Sequence, residues 1–252
     1  MEDLTWPEFK QASDNTDVAL IPVGSVEQHG LHAPLKTDSL IAERIGRDVA
    51  EKMKLICCPT VKIGVSAHHK QFWGTLWVSP DTLKNYVREV AESFHYHGVE
   101  KVVFVNGHGG NRNTLKETAR EIRSQSKGFA VAWTWFDSVE EEIKEIFGEE
   151  GLLHSDAPET SVLWALDEKA IRKNKLDKSR KSGSEEWGKI RGGCEITADV
   201  VEFSESGTVG NPESADPEKG KKVYQKAKKN LVTLVKWLRE VETDELNESP
   251  HK

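Results

Sequence analysis

Short apolar runs alternate along this chain with segments whose apolar residues recur at helical spacing. The strand-like runs are 18–23, 55–61, 102–105 and a run that begins at 130–133. The helix-like segments are 39–45, 80–97, 113–124 and a last amphipathic segment, 219–241. Such alternation is typical of βαβ units, which place helices on the faces of a parallel sheet. The sequence therefore predicts an α/β fold with a mainly parallel sheet.

Length and charge limit the classes of protein that remain. A chain of 252 residues can bury one substantial core, and no Pro/Gly/Ser-rich linker divides it. We therefore predict a single catalytic domain over 1–252, of which 243–252 form a polar tail. The net charge of −7 and the lack of a basic stripe argue against a nucleic-acid partner. The longest basic cluster, 169–181, is interrupted by acidic residues and is expected to be a solvated loop.

The sequence also predicts the cellular compartment. No apolar run approaches the length of a membrane span, and the first three residues are Met1-Glu2-Asp3, unlike the basic start of a signal peptide. We expect no membrane association and a cytoplasmic location. Cys57, Cys58 and Cys194 fit that compartment as reduced thiols without a catalytic role.

A cluster of metal-ligand residue types follows the first apolar run directly. Glu27, His29, His32 and Asp38 lie within twelve residues, just after Gly24-Ser25 ends the predicted strand. Imidazole and carboxylate ligands together suit Zn, Mn or Fe, and the carboxyl edge of a parallel sheet is where ligands usually bind. Glu27 and His29 are two residues apart and would share one face of an extended chain. The alternative is a polar loop with surface histidines, in which Asp38 caps the helix that follows.

Two further motifs contain candidate ligands. Asn106-Gly107-His108-Gly109-Gly110-Asn111 follows a second apolar strand, and its glycines would let the backbone approach an ion or substrate closely. His154 lies five residues before Glu159, which begins a helical segment. Each motif has a structural alternative: a simple βα turn for the first, and for the second a first-turn glutamate favoured by the helix dipole. His108 becomes a candidate ligand because the first predicted strand also ends in a cluster of possible ligands, Glu27, His29 and Asp38.

Together these motifs resemble the creatininase family of metal-dependent amidohydrolases. The resemblance extends from about residue 4 to residue 238. The matching segments are Glu27-Gln28-His29-Gly30 with Thr37-Asp38, then 66–75, 106–111, His154 with Glu159-Thr160-Ser161, and more weakly 207–212. The resemblance implies a three-layer α/β/α fold, two divalent metal ions (Zn, Mn or Fe) in a dinuclear centre, and assembly into homo-oligomers, with a hexamer favoured.

The resemblance also implies a ligand set. It assigns Glu27, Asp38 and His108 to one metal, and it assigns His29 to the other, with Asp38 as the bridge between the two.

One position departs from the family pattern. Creatininase has a glutamate two residues after the histidine that matches His108, and that glutamate completes its second metal site. This chain has Gly110 there. Glu159, the remaining motif carboxylate, is the candidate replacement, with water or a vacant second site as the alternative.

A second departure concerns the substrate. Creatininase holds its ligand with tryptophans, one of which lies four residues before the histidine that matches His154. This chain has Glu150 at that position, and it has Phe136, with Trp135 beside it, at the other. Creatinine is therefore not the expected substrate. The family also contains formamide-cleaving enzymes of archaeal flavin and deazaflavin biosynthesis, and members that act on peptides or cyclitol derivatives.

The predicted function is hydrolysis of a C–N bond other than a peptide bond, in a small amide, cyclic amide or formamide, through a hydroxide that bridges the two metals. His154 and Glu159 are the predicted catalytic residues, with His154 as the general acid for the leaving nitrogen. One alternative is a formamide hydrolase of flavin or deazaflavin biosynthesis. The other is a non-catalytic metal-binding member, which the presence of His154 disfavours.

Residues around this centre are predicted from the same motifs. His32 would orient a ligand from behind. His69, Phe72, Trp135 and Phe136 would line the pocket for a small-molecule substrate, although His69 and Phe72 could equally pack as structural residues.

Overall fold

The computed structural model describes residues 1–125, 128–148 and 153–246. The helices are α1 (Trp6–Ser13), α2 (Thr37–Met53), α3 (Pro80–Tyr96), α4 (Arg112–Gln125), α5 (Glu140–Phe147), α6 (Ala157–Leu166), α7 (Leu176–Lys181) and α8 (Pro217–Glu240). The strands are β1 (Val18–Val23), β2 (Ile56–Cys57), β3 (Lys101–Asn106), β4 (Phe129–Thr134), β5 (Lys189–Arg191) and β6 (Cys194–Ile196).

The main sheet has the strand order β2-β1-β3-β4, and every pairing in it is parallel. Its two central strands are fully buried and carry almost only apolar side chains. Helices on both faces of a parallel sheet require such strands, since neither face meets water. The predicted mainly parallel sheet is confirmed.

Successive residues of the central strands point to opposite faces and belong to two separate cores. Leu20 and Val103 pack in a core that α2 and α8 cover, with Leu231 from α8. Ile21 and Phe104 pack in the other core, which α3 and α4 cover. The sheet is thus the middle of three layers, and the predicted α/β/α architecture is confirmed.

The second strand is shorter than the sequence predicts. Of the apolar run 55–61, Ile56 and Cys57 pair with β1. Val61 returns only as an isolated bridge to Val23. Backbone hydrogen bonds to β1 continue past the two paired residues, from Cys58 N–H to the Leu20 carbonyl and from Val61 N–H to the Pro22 carbonyl, but the ladder between them is interrupted at Pro59 and Thr60.

Asp38 does not cap α2, in contrast to the sequence-based alternative. The helix begins at Thr37, its N-cap residue is Lys36, and Asp38 lies in the first turn. Its carboxylate accepts no capping bond from the backbone and points into the site described below. The basic cluster 169–181 also differs from the expected loop, because α7 and two short 3₁₀ turns form within it.

No helix in the described part of the chain combines the length and apolar composition that a bilayer crossing requires.

The loop after β3 packs against the first turn of α2 at a glycine. A Cβ atom on Gly107 would collide with the carbonyl oxygen of Asp38 and would lie 3.1 Å from the Ala42 side chain. The close approach of β3 and α2 therefore depends on the missing side chain.

Gly107→Ala is expected to lower the free energy of unfolding by about 1–3 kcal/mol, because the new methyl group overpacks a backbone contact. Urea denaturation measures the change. Gly109→Ala is the matched control, because a Cβ at Gly109 would meet no atom within 4 Å. Equal stability of the two variants would contradict the packing argument.

Candidate metal centre

Five acidic and histidine side chains converge at the carboxyl edge of the sheet. Glu27 and His29 lie in the loop after β1, and His108 lies two residues after β3. Asp38 comes from the first turn of α2 and Glu159 from the first turn of α6. All five are buried. The structure brings together every residue to which the sequence assigned a metal.

These side chains form two overlapping groups of possible ligands. In one group, His108 Nδ1 lies 3.2 Å from Glu27 Oε1 and 3.2 Å from Asp38 Oδ2. In the other, His29 Nε2 lies 3.1 Å from Asp38 Oδ1 and 3.4 Å from Glu159 Oε2. Asp38 therefore presents one carboxylate oxygen to each group, as a bridging ligand does.

Backbone carbonyls orient both ligand histidines. The Nδ1 atom of His29 lies 3.1 Å from the carbonyl oxygen of Glu27. The Nε2 atom of His108 lies 3.0 Å from the carbonyl oxygen of Val65. A carbonyl oxygen only accepts, so each of these nitrogens donates. A neutral ring then directs the lone pair of its other nitrogen toward the carboxylates, an arrangement that fits a cation between them.

Some of the buried carboxylate oxygens have no hydrogen-bond donor in the described part of the chain. Both oxygens of Glu27 and Oδ2 of Asp38 are buried without a hydrogen-bond partner among the described residues. Burial raises the pKa of Glu27. The pKa values of His29 and His108 lie well above the ordinary value: burial lowers them, but the adjacent carboxylates outweigh it. The buried carboxylates are therefore stabilised by positive charge. Divalent cations bound by these nitrogen and oxygen ligands would provide it.

Gly110 cannot be replaced by a larger residue at its position. A Cβ atom there would collide with the carbonyl oxygen of Val65 and would lie 2.6 Å from His108 Nε2. Glu159 instead approaches His29 and Asp38 from α6. The backbone N–H of Ser155 donates to its Oε2 at 3.0 Å and holds the carboxylate in place. This placement supports Glu159 as the replacement for the missing glutamate.

Two more histidines face Glu27. His154 Nδ1 lies 3.8 Å and His69 Nε2 lies 3.6 Å from Glu27 Oε1. Burial lowers the pKa of both imidazoles well below the ordinary value, so both rings are neutral near pH 7. His154 also forms a possible ligand group with Glu27 and His29.

A cavity of about 760 Å³ opens onto this centre. Of the predicted pocket residues, His69 and Phe136 line it. Trp135 does not, because its side chain is fully buried in the core beneath α8. Phe72 is also absent from the cavity wall. Glu150 lies outside the described residues.

His32 lies behind the centre rather than on the cavity. Its Nε2 is 2.9 Å from Thr160 Oγ1 and its Nδ1 is 3.0 Å from Ser179 Oγ. Burial lowers its pKa to about 3, so the ring stays neutral. It contacts the residue next to Glu159, a position compatible with the predicted orienting role.

Some residues of the cavity wall were not predicted from the sequence. Trp187, from the segment before β5, lies with its ring centroid 6.3 Å from His154 and 5.6 Å from Phe203. Glu195 and Arg112 also line the cavity. No motif or periodicity marks Trp187, because it lies in an irregular, partly exposed segment.

Comparison with known proteins supports the same family. The model of the family described as "Creatininase: Creatinine amidohydrolase" matches residues 2–235. The mycofactocin precursor peptide peptidase of Mycobacterium ulcerans is 29% identical over 245 residues, covering 92% of this chain and 86% of that protein. The creatinine amidohydrolase of Pseudomonas putida is 29% identical over 183 residues, covering 65% of this chain and 70% of that protein.

Solved structures share the fold. The crystal structure of creatinine amidohydrolase (creatininase) superimposes with a TM-score of 0.83 at 23% sequence identity, covering 96% of this chain and 98% of that one.

Asp38→Ala is expected to lose both metals, because its carboxylate is the ligand common to the two groups. Elemental analysis of the purified protein should give close to two divalent ions per chain for the wild type. Glu43→Ala, also on α2 but partly exposed and paired with Arg47, is the control and should keep its metal. Full metal content in Asp38→Ala would contradict the bridging role.

Glu159→Gln is expected to lower the metal content toward one ion per chain while the protein stays folded. Glutamine has the same shape and can still accept from Ser155, but it lacks the charge. Circular dichroism checks the fold, and Glu168→Gln, an exposed glutamate paired with Lys173, serves as the control. Two ions in Glu159→Gln, or a metal–carboxylate distance far beyond roughly 2.0–2.2 Å in a zinc-loaded crystal, would remove Glu159 from the ligand set.

Proposed function

Because this chain belongs to the creatininase family, whose members hydrolyse C–N bonds, we propose that it is a metal-dependent amidohydrolase of a small amide, cyclic amide or formamide. The observation that supports this most directly is the pair of ligand groups that share Asp38 at the base of the cavity. A structural cluster would not leave three carboxylate oxygens without donors beside solvent-accessible space.

Two divalent ions in these groups would activate a water molecule and polarise the substrate carbonyl. The protein then has to move a proton to the leaving nitrogen. His154 lies on the cavity wall with its Nδ1 directed toward Glu27. Since its ring is neutral, His154 must first take a proton from the attacking water before it can act as the predicted general acid.

The cavity wall supports a substrate other than creatinine. Phe136 is held under the Arg112 guanidinium, whose carbon lies 4.5 Å from the ring centroid. Trp135 is unavailable as a stacking partner because it is buried. Trp187 presents the aromatic surface nearest the two neutral histidines. Phe136 therefore replaces a tryptophan at one of the two positions that the family resemblance assigns to creatinine binding, and Trp187 stands at neither of them.

A peptide amide is a second candidate substrate. The relative from Mycobacterium ulcerans, which covers 92% of this chain, is a peptidase of a precursor peptide. A cavity of about 760 Å³ would also accept a few residues of a peptide. Both candidate substrates would be cleaved at the same metal centre. They differ in the part of the substrate that would fill the rest of the cavity.

The wild type is expected to hydrolyse a small amide, lactam, formamide or short peptide and to show little activity on creatinine. His154→Ala should lower turnover of the best substrate by about 10²- to 10⁴-fold, because a general acid–base group typically contributes that much. A screen of these compounds by mass spectrometry identifies the substrate, and elemental analysis confirms that the variant keeps its metal.

His97→Ala, an exposed histidine at the end of α3, is the control and should turn over normally. Efficient creatinine hydrolysis would contradict the substrate proposal. An unchanged rate in His154→Ala on an amide with a poor leaving group would remove His154 from the mechanism.

Assembly into a homo-oligomer, a cytoplasmic location and a single-domain organisation stay predictions. Trp73 is 98% exposed and Leu76 and Trp77 near it are also exposed, which supports contact with a second copy of the chain. Light scattering of the purified protein measures its mass against the 28.3 kDa of one chain.

A further inference from the structure

We propose that Gln28 is a positioning residue that sets the tautomers of His69 and His154, so that one offers the substrate a donor and the other an acceptor. The inference rests on the proposed hydrolase function. Gln28 lies between the candidate ligands Glu27 and His29, and its side chain is buried. Its amide contacts both histidines and two backbone groups.

Two backbone groups determine the orientation of the Gln28 side-chain amide, that is, the positions of its oxygen and its nitrogen. The N–H of Gly30 donates to Oε1 of Gln28 at 2.9 Å. At the other end, Nε2 lies 3.0 Å from the carbonyl oxygen of Gly207, which can only accept. A flipped amide would place two donors together and two acceptors together. One of the two Nε2 protons is therefore used on Gly207.

His154 cannot accept the second proton. Its Nε2 lies 2.9 Å from the backbone carbonyl oxygen of Gln28 and 3.0 Å from the Gln28 amide nitrogen. The carbonyl requires Nε2 of His154 to be a donor. The neutral ring then carries its lone pair on Nδ1, the atom that faces Glu27 Oε1 at 3.8 Å.

The second amide proton goes to His69. Nε2 of Gln28 lies 2.7 Å from His69 Nδ1, the shortest of its contacts. His69 Nδ1 must therefore be unprotonated, and the proton of the neutral ring is on Nε2. That atom is buried, lies 3.6 Å from Glu27 Oε1, and has no hydrogen-bond partner among the described residues.

Beside Glu27, the His154 ring consequently offers a hydrogen-bond acceptor and the His69 ring offers a donor. Nδ1 of His154 accepts a proton from water as the water oxygen bonds to the amide carbon, and later gives that proton to the nitrogen as the C–N bond breaks. Nε2–H of His69 donates a hydrogen bond to an oxygen in the same space. The products are a carboxylic acid and an amine, with one water consumed.

The experiment is a long-range ¹H–¹⁵N spectrum of the histidine side chains, recorded on the metal-free and the zinc-loaded protein. In the wild type, both His69 and His154 should show the Nε2–H tautomer. In Gln28→Glu, the carboxylate would accept from His69, so His69 should change to Nδ1–H or become doubly protonated. Gln11→Glu, on the exposed face of α1, is the matched control and should change neither ring.

Turnover supplies the second readout. In Gln28→Glu, kcat on the substrate found in the screen should fall by about 10- to 100-fold at unchanged zinc content, while Gln11→Glu keeps its rate. Gln28→Met, of similar length but without a donor, covers the case in which Gln28→Glu does not fold. In that variant, His69 should populate both tautomers.

The spectrum of the wild type alone can overturn the inference. Nδ1–H on His69, or on His154, would refute the assigned hydrogen-bond directions. An Nε2–H His69 that persists in both Gln28 variants would show that another group sets the tautomer. Because the metal-free spectrum needs neither zinc nor a substrate, failure of the proposed hydrolase function is recognised separately, by metal content and by the compound screen.

Discussion

The burial of Glu27 beside Asp38 is the constraint on which the rest of this site depends. Two carboxylates removed from water at the edge of a sheet are costly unless positive charge lies between them. Two histidines direct nitrogen atoms at these carboxylates, and Gly107 lets the loop after β3 approach α2. A cation bound between these carboxylates would therefore stabilise the folded chain, because the same burial that is costly without it is compensated when it binds.

Main-chain groups control the direction of each imidazole. Carbonyl oxygens of Glu27 and Val65 orient the two ligand histidines, and the carbonyl of Gln28 orients His154. The positions of these carbonyls follow from the path of the loop after β1, which holds Glu27 and Gln28, and of the segment before α3, which holds Val65. The chemistry of the site is thus set by loops that the parallel sheet anchors at one edge, which is how α/β folds usually support varied reactions.

Much of this arrangement could be predicted from the sequence. Three of the candidate ligands, Glu27, His29 and His108, follow apolar strands, and parallel strands bring their carboxyl ends together, so these residues had to be close. Glu159 could be nominated because Gly110 leaves a position that needs a carboxylate. The structure adds the reason, since the carbonyl of Val65 occupies the space of a side chain at 110.

Other features depend on tertiary contacts that no local pattern contains. Trp135 and Phe136 are adjacent, yet only the second reaches the cavity. The backbone N–H of Trp135 donates to the carbonyl oxygen of Asn106, the last residue of β3, and the Trp135 ring packs in the core. Trp187 reaches the site from an irregular segment far along the chain. The strand β2 ends at Cys57, although the apolar run continues to Val61.

The contact between α6 and α8 has a consequence for synthesis on the ribosome. A Cβ on Gly220 would collide with the backbone of Ser161, so the two helices touch main chain to main chain, two residues from Glu159. Glu27, Asp38 and His108 precede Glu159 in the chain, and α8, which packs against the helix of Glu159, is synthesised after all four. During synthesis, Glu159 therefore gains its supporting helix only after every residue of the first candidate ligand group has left the ribosome.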